Sequence, residues 1–424
     1  ARRGTGASSG MTEGMALLGQ LPPQSRAAIR LLGQIGPDAR LVGGVGRDLL
    51  GNRPITDVDM ATPQPPEAVL HALQQAGVRA VPTGLEHGTV TAVIDAAPYE
   101  ITTLRRDEET DGRHARVSWT ADWQEDAQRR DFTINALLLD RAGGLHDYFG
   151  GQADLAAGHV RFVGDAVLRI QEDALRILRY FRFQARYGRG QPDASALQAI
   201  SSQVALLRGL SVERIWSELK RILAGPQVVE TLHLMEQTGV LAEIMPGGAS
   251  LARLERLVAT GAPRDPLLLL VALAHQPRQV VQRLKVSRAE SDFVQALLRC
   301  FTQEEKKLFA QGAGEALDDA LRVLLSEEPR QVLLGRLWLA EGDDAPVMAD
   351  GGTCFRTVRA CLEALETPEF PLAGRDVLAA GLSAGPQVGH VLGQVRQWWR
   401  AGGCRAGRAA CLAQLAAVLH AQPH

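Results

Sequence analysis

The run Leu41-Val42-Gly43-Gly44-Val45-Gly46-Arg47-Asp48, followed by Asp57-Val58-Asp59, constrains this chain more than any other stretch. It reads as a strand, a tight glycine turn and the opening of a short helix, then a second strand that carries two carboxylates. Strand residues two apart face the same side, so Asp57 and Asp59 point together. Side by side, the two carboxylates repel and raise each other's pKa unless a cation sits between them, and oxygen ligands suit magnesium. The glycines let a triphosphate approach the backbone, where helix N–H groups would meet it. Neither part is specific alone, since most Gly-Gly pairs are plain turns and most D-x-D pairs are solvated. Their order within one short unit points to magnesium-dependent nucleotidyl transfer.

At 424 residues the chain is long enough for two to four domains, and 46% hydrophobic residues allow a sizeable core. A formal net charge of −2 excludes a uniformly basic coat but leaves room for a local basic groove. The five cysteines, Cys300, Cys354, Cys361, Cys404 and Cys411, have no C-x-x-C spacing and read as reduced thiols. The longest apolar run, residues 266–274, is too short for a membrane span and reads as a buried helix. Residues 1–10 lack an apolar signal core, so residues 1–16 read as a disordered extension. A cytoplasmic location is expected, with no membrane and no obligate protein partner.

Helical periodicity covers residues 17–35, and residues 65–76 read as a helix against the sheet. Residues 78–81, 89–94 and 99–104 read as strands, the last two forming a hairpin across Ala96-Ala97-Pro98. This is a small mixed sheet with helices, an α+β head. Residues 105–119 break the pattern with Arg105-Arg106-Asp107-Glu108-Glu109-Thr110-Asp111-Gly112-Arg113-His114. Composition alone fits a solvated loop, and a long charged loop in a compact domain also fits a mobile segment near an active site.

Residues 125–137 read as a helix, on which Asn135 would share a face with Asp131. Arg130 suits a phosphate clamp, and Asp131 could orient it or a ribose hydroxyl. Asp147-Tyr148-Phe149-Gly150-Gly151 reads as a hinge. From Ile170 the pattern is helical. Asp173, Arg176, Arg179 and Arg182 recur every three residues, a stripe staying roughly on one side of a helix. It could serve as a positive rail for triphosphate or nucleic-acid backbone, or as ordinary salt-bridge lacing. Asp173 and Arg176 also form an acceptor and a fork donor able to hydrogen-bond a base edge. Residues 212–223 form another amphipathic helix, with Glu213 and Arg214 placed to brace the preceding one. Residues 232–245, 266–275, 287–301, 315–325, 375–382 and 385–400 read as helices of an elongated body. The expected divisions are a head over 17–150, a helical neck over 151–230, and a helical body and tail over 231–424.

Together, residues 41–48, Asp57-Val58-Asp59, 129–137, 169–186 and 213–223 resemble the class II tRNA nucleotidyltransferases, the CCA-adding enzymes. These share a nucleotidyltransferase head with poly(A) polymerases in the DNA polymerase beta superfamily. The resemblance implies that Asp57 and Asp59 are catalytic and bind two Mg²⁺ ions, and that Gly44 and Arg47 contact the incoming triphosphate. It implies nucleotide binding by Arg130, with Asp131 nearby, and by Arg179 and Arg182. Asp173 and Arg176 would form an amino-acid template for CTP or ATP. The head would be followed by an all-α neck, which selects the nucleobase, and a body and tail that bind tRNA. Residues 105–119 would be the flexible loop that switches from C to A addition, with Thr110 where many members carry a tyrosine. Glu100 is a candidate third carboxylate. Full CCA addition, CC-only addition and A-only addition all remain within the resemblance. Poly(A) polymerase and a catalytically silent RNA-binding protein are the competing readings. A metal phosphohydrolase would need a His-Asp cluster, whereas His146-Asp147 stands alone in the sequence.

Overall fold

The structure is a computed structural model that describes residues 16–107, 117–344 and 354–421. The extension expected over residues 1–16 and Thr110 of the charged loop lie almost wholly or wholly outside those residues.

β1 (Arg40–Val42) runs into Gly43, whose φ of 74° and ψ of −134° only glycine adopts readily. The helix Gly44–Leu50 starts immediately after it, as the glycine run predicts. β2 (Asp59–Thr62) returns antiparallel to β1, pairing Val42 with Asp59 and Leu41 with Met60. The strand is shorter than the sequence suggests, because it begins at Asp59 and Asp57 lies just before it. The twofold alternation nonetheless holds through Val58, for Asp57 and Asp59 are exposed while Val58 and Met60 are buried.

The helix Pro66–Gln75 leads to β3 (Arg79–Gly84), β4 (Thr89–Ile94) and β5 (Ala97–Thr103). The β4–β5 hairpin turns at Asp95 and Ala96, with φ of 50° and 62°, the paired positive angles of a tight hairpin turn. The turn thus precedes Ala97 and Pro98, which belong to the strand. β6 (Arg105–Asp107) and β7 (Val117–Trp119) pair as a separate antiparallel ribbon at the two ends of the charged loop. After the helix Trp123–Gln128 come β8 (Leu137–Asp140) and β9 (Leu145–Asp147). The seven-stranded sheet has the order β3-β4-β5-β2-β1-β8-β9 and is mixed, with β2 and β5 parallel.

Neighbouring residues of a strand serve opposite faces of this sheet. Leu41, Met60 and Leu139 join the main core with Ala28, Leu31, Leu32, Val69 and Leu73 from the helices Arg26–Gln34 and Pro66–Gln75. Val42, Ala61 and Leu138 belong to a smaller cluster with Leu104 and Trp123. Asp59, in step with Ala61, therefore lies on the face opposite the main core.

Two expected helices are interrupted. The stretch 125–137 is a helix only to Gln128, followed by a turn and a 3-10 segment, Thr133–Asn135, before β8. The arginine-rich stretch is two helices, Ala166–Glu172 and Leu175–Tyr187, meeting at Asp173, whose φ of −152° is extended. Asp173 thus sits on a joint, while Arg176, Arg179 and Arg182 share the second helix.

All remaining elements among the described residues are helical. Val212–Ala224 forms as expected, and residues 232–245 divide between Val228–Gln237 and Val240–Ile244. Pro266–Leu273 is capped by the Asp265 carboxylate, and Leu268 to Leu273 are all buried in it. The chain divides into two compact units, residues 1–218 with 225–244, and residues 219–224 with 245–424. The second contains one core around Phe309, Leu321, Leu337 and Val358, and another around Val377, Val391, Val395 and Trp399. No helix among the described residues is long and apolar enough to cross a membrane.

Gly151 supports the site from below. A Cβ there would lie 2.1 Å from the Thr133 carbonyl oxygen, ahead of Asn135. Gly151→Ala is expected to destabilise the protein by roughly 1–3 kcal/mol, the usual cost of overpacking. Gly389→Ala meets open space within the helix Pro386–Ala401 and should be neutral or stabilising by up to about 1 kcal/mol. Thermal and urea unfolding of the two variants checks the contrast.

Candidate active site

A cavity of about 410 Å³ opens beside the glycine turn. Gly43, Gly44, Arg47, Asp57, Asp59, Arg130, Asp131, Arg176, Arg179 and Arg182 line it, with Asn135 and Phe183 among the others. Every sequence-predicted site residue except Asp173 and the candidate third carboxylate Glu100 thus faces one space, although they lie on a turn, a strand edge, a bend and a helix.

The carboxylate edge comes from β2. Asp57 accepts a hydrogen bond from the Thr56 hydroxyl at 3.3 Å. Although Asp59 is exposed to the open cavity, partial desolvation of its carboxyl, then the neighbouring charges of Glu100 and Asp57, hold it above its ordinary range, with Arg130 pulling the other way. Glu100 reaches this position because β5 lies beside β2. A Cβ on Gly43 would stand 3.6 Å from Asp59 Oδ2, so the bare turn leaves the carboxylate approachable. Among the described residues, no three His, Cys, Asp or Glu side chains gather as a metal cage. Two hard oxygen donors fit magnesium, which is commonly held by one or two carboxylates plus substrate phosphates.

The opposite wall is basic. The buried Asp126 carboxylate accepts from Arg129 Nη2 at 2.9 Å and from Arg130 Nη2 at 3.0 Å. It also accepts from the Arg105 backbone N–H at 3.4 Å, where the β6–β7 ribbon begins. Arg130 is therefore oriented by Asp126 and not by Asp131, although orienting Arg130 is the first of the two roles the sequence leaves open for Asp131. Its buried Nε has no hydrogen-bond partner among the described residues, as suits a donor meant for an anion.

Asp131 instead grips Arg179, accepting from Nε at 2.8 Å and Nη2 at 2.6 Å. It also accepts from the Phe132 N–H at 2.8 Å and the Asn135 amide at 3.0 Å. Burial opposes ionisation of Asp131, but Arg179 and these donors outweigh it and hold the carboxyl below its ordinary range. Asn135 also accepts from Arg47, which forms a two-pronged pair with Asp48 at 3.0 and 3.1 Å.

Phe183 gathers the cations. The guanidinium carbons of Arg47, Arg179 and Arg182 lie 5.2, 5.3 and 4.8 Å from its ring centre, within cation–π range. Arg182 is further held by Glu218 at 2.6 Å. Arg176 donates to Glu172 at 2.7 Å and to the carbonyls of Arg169 at 3.0 Å and Arg129 at 2.7 Å. Asp173 accepts from the Leu175 N–H at 3.1 Å and from Arg214 Nη2 at 2.8 Å. Arg214 thus braces the joint between helices, much as its place in the sequence suggests.

Sequence reasoning missed Asp126, Phe183 and Glu218 as parts of the site. The first two left local signals: Asp126 stands four residues before Arg130, and Phe183 four after Arg179. The Glu218 contact had none, since Arg182 lies 36 positions away.

The Asp131 grip generates a stability prediction. Asp131→Asn should cost roughly 1.5–3 kcal/mol at neutral pH, the worth of hydrogen bonds to charged groups. Because the folded carboxyl is depressed, the difference is complete above its unfolded value of about 3.9. It should shrink as pH falls through the lower folded value. Paired denaturation curves from pH 7 to pH 2.5 measure it.

Comparison with known proteins agrees with this geometry. Residues 39–161 match the family model of the poly A polymerase head domain, and residues 191–251 that of the probable RNA and SrmB-binding site of polymerase A. Mouse mitochondrial CCA tRNA nucleotidyltransferase 1 is 38% identical over 383 residues, covering 87% of this chain and 84% of the relative. The CCA-adding enzyme of Geobacillus kaustophilus is 33% identical over 404 residues, covering 90% and 93%. The crystal structure of the Bacillus stearothermophilus CCA-adding enzyme in complex with CTP superposes with a TM-score of 0.66 at 29% identity, covering 90% of this chain and 94% of that one. With the glycine turn, the paired carboxylates and the arginine helix in one cavity, the chain belongs to the class II CCA tRNA nucleotidyltransferase family.

Proposed function

We propose that this protein transfers CMP and AMP from CTP and ATP to the 3′ end of tRNA without a nucleic-acid template, completing CCA and releasing pyrophosphate. The observation that carries the reading is the single cavity in which Asp57 and Asp59 face Arg47, Arg130, Arg179 and Arg182. It joins a pair of carboxylates to a wall of guanidinium groups. The relatives' names and the CTP complex of a 29%-identical enzyme support tRNA, CTP and ATP as substrates.

Asp57 and Asp59 are the residues that would hold two Mg²⁺ ions. Bound there, the ions would supply activation of the RNA 3′-hydroxyl and neutralisation of charge on the departing pyrophosphate. The chain's own groups do the rest. Arg47 and Arg130 present donors to the triphosphate, and the glycine turn at Gly43-Gly44 lets it approach the backbone. Asp131 fixes Arg179, and Glu218 fixes Arg182, so that both guanidinia are positioned before a nucleotide arrives.

Asp173 and Arg176 read the base. Cytosine and adenine both present an exocyclic amine beside a ring nitrogen, so a carboxylate acceptor with a guanidinium donor selects them over guanine and uracil. Both side chains hydrogen-bond within the protein here, and base binding exchanges those bonds for bonds to the nucleotide. In the domain scheme that follows, residues 17–150 form the catalytic head, 151–230 the base-selecting neck and 231–424 the tRNA-binding body and tail.

Incubation of purified protein with tRNA ending at the discriminator, at C and at CC, with CTP and ATP separately and together, tests the reading. Stepwise completion to CCA is expected. Addition only to the first two ends, or only to the third, would limit the enzyme to CC or A. Long ATP-only tails on any RNA would favour a poly(A) polymerase. Asp57→Ala and Asp59→Ala should each reduce incorporation by at least roughly a thousandfold. Exchanging the template pair, Asp173→Arg with Arg176→Asp, should abolish the C and A preference when all four nucleotides are offered.

A further inference from the structure

We propose that Asn135 is a positioning residue that couples Arg47, on the glycine turn, to Arg179, on the helix Leu175–Tyr187, so that the two arginines bind nucleotide as one unit. This rests on the proposed nucleotide-transfer reading of the cavity. Asn135 is 6% exposed, and its two amide ends are both engaged. Oδ1 accepts from Arg47 Nη1, and Nδ2 donates to Asp131 Oδ1 at 3.0 Å.

The orientation of the amide is chemically determined. Arginine can only donate, and an ionised carboxylate can only accept. The side chain therefore cannot flip without losing both bonds and placing like groups together. Beyond Asp131 the bonds continue to Arg179 at 2.8 and 2.6 Å. Beyond Arg47 they continue to Asp48, which accepts from the Tyr187 hydroxyl at 3.2 Å. Tyr187 is the last residue of the helix that carries Arg179.

The result is a closed ring: Asn135, Arg47, Asp48, Tyr187, the helix back to Arg179, and Asp131. Asn135 is the side chain in it that hydrogen-bonds directly to both ion pairs, Arg47–Asp48 and Asp131–Arg179. A triphosphate drawing on Arg47 alters a bond shared with the group that aims Arg179. Neither arginine moves without loading the other.

Three variants and equilibrium CTP binding to the full-length protein test this. Asn135→Ala should weaken CTP binding roughly tenfold to a hundredfold, the scale of hydrogen bonds to charged partners. The KM for CTP should rise while the KM for tRNA stays unchanged. Arg47→Lys and Arg179→Lys, alone and together, should be non-additive in the native background and additive in the Asn135→Ala background. Unchanged CTP affinity in Asn135→Ala, or the same coupling in both backgrounds, overturns the proposal. If Asn135→Ala does not fold, Asn135→Ser, which keeps a hydroxyl, serves in its place with the same outcomes. Because the affinity and coupling readouts use CTP binding and not turnover, absence of CCA addition by the native protein would refute the functional reading and leave the coupling result to stand separately.

Discussion

One buried carboxylate, Asp131, holds the active cavity together. It lies where the chain leaves the helix Trp123–Gln128 for β8, and it grips an arginine 48 positions further on. Four donors converge on it: Phe132 N–H, the Asn135 amide and two Arg179 nitrogens. Desolvation of an ionised carboxylate is costly, and only so complete a donor set offsets it. With the Tyr187 hydroxyl on Asp48 and Arg176 on the Arg129 carbonyl, Asp131 ties the helix that carries the arginines to the sheet that carries Asp59.

The arginines themselves pose a problem that the structure solves by giving each a carboxylate partner. Arg47 has Asp48, Arg129 and Arg130 share Asp126, Arg176 has Glu172, Arg179 has Asp131 and Arg182 has Glu218. Phe183 sits amid three of them as a neutral but electron-rich surface. A cationic pocket can thus exist in a chain whose formal net charge is −2. Local arrangement, not overall charge, determines which ligand the cavity suits.

Much of this was legible in the sequence. The glycine turn, the strand after it and the β4–β5 hairpin follow from local steric rules and alternation, which a linear sequence displays directly. The amphipathic helices of the C-terminal half follow from periodicity in the same way. The break at Asp173 was not legible, because residues 169–187 keep a helical pattern on both sides of it. Arg214 contacts Asp173 there from 41 positions away, and no local propensity reports such a partner. The helix expected over 125–137 failed for a related reason. Its β-branched and aromatic centre, Phe132-Thr133-Ile134, is instead claimed by a bridge from Phe132 to Phe162 and by packing against Tyr180 and Phe183.

The cavity is lined entirely by residues between Gly43 and Phe183, all in the first of the two units. The family model that matches residues 39–161 takes its name from the head domain of poly A polymerase. Under the proposed assignment of RNA binding to residues 231–424, the reaction and the choice of RNA lie in separate parts of one chain. Such a layout lets recombination or drift retarget the enzyme to a different transcript while its chemistry is inherited intact. It also lets the chemistry be tuned without losing the target.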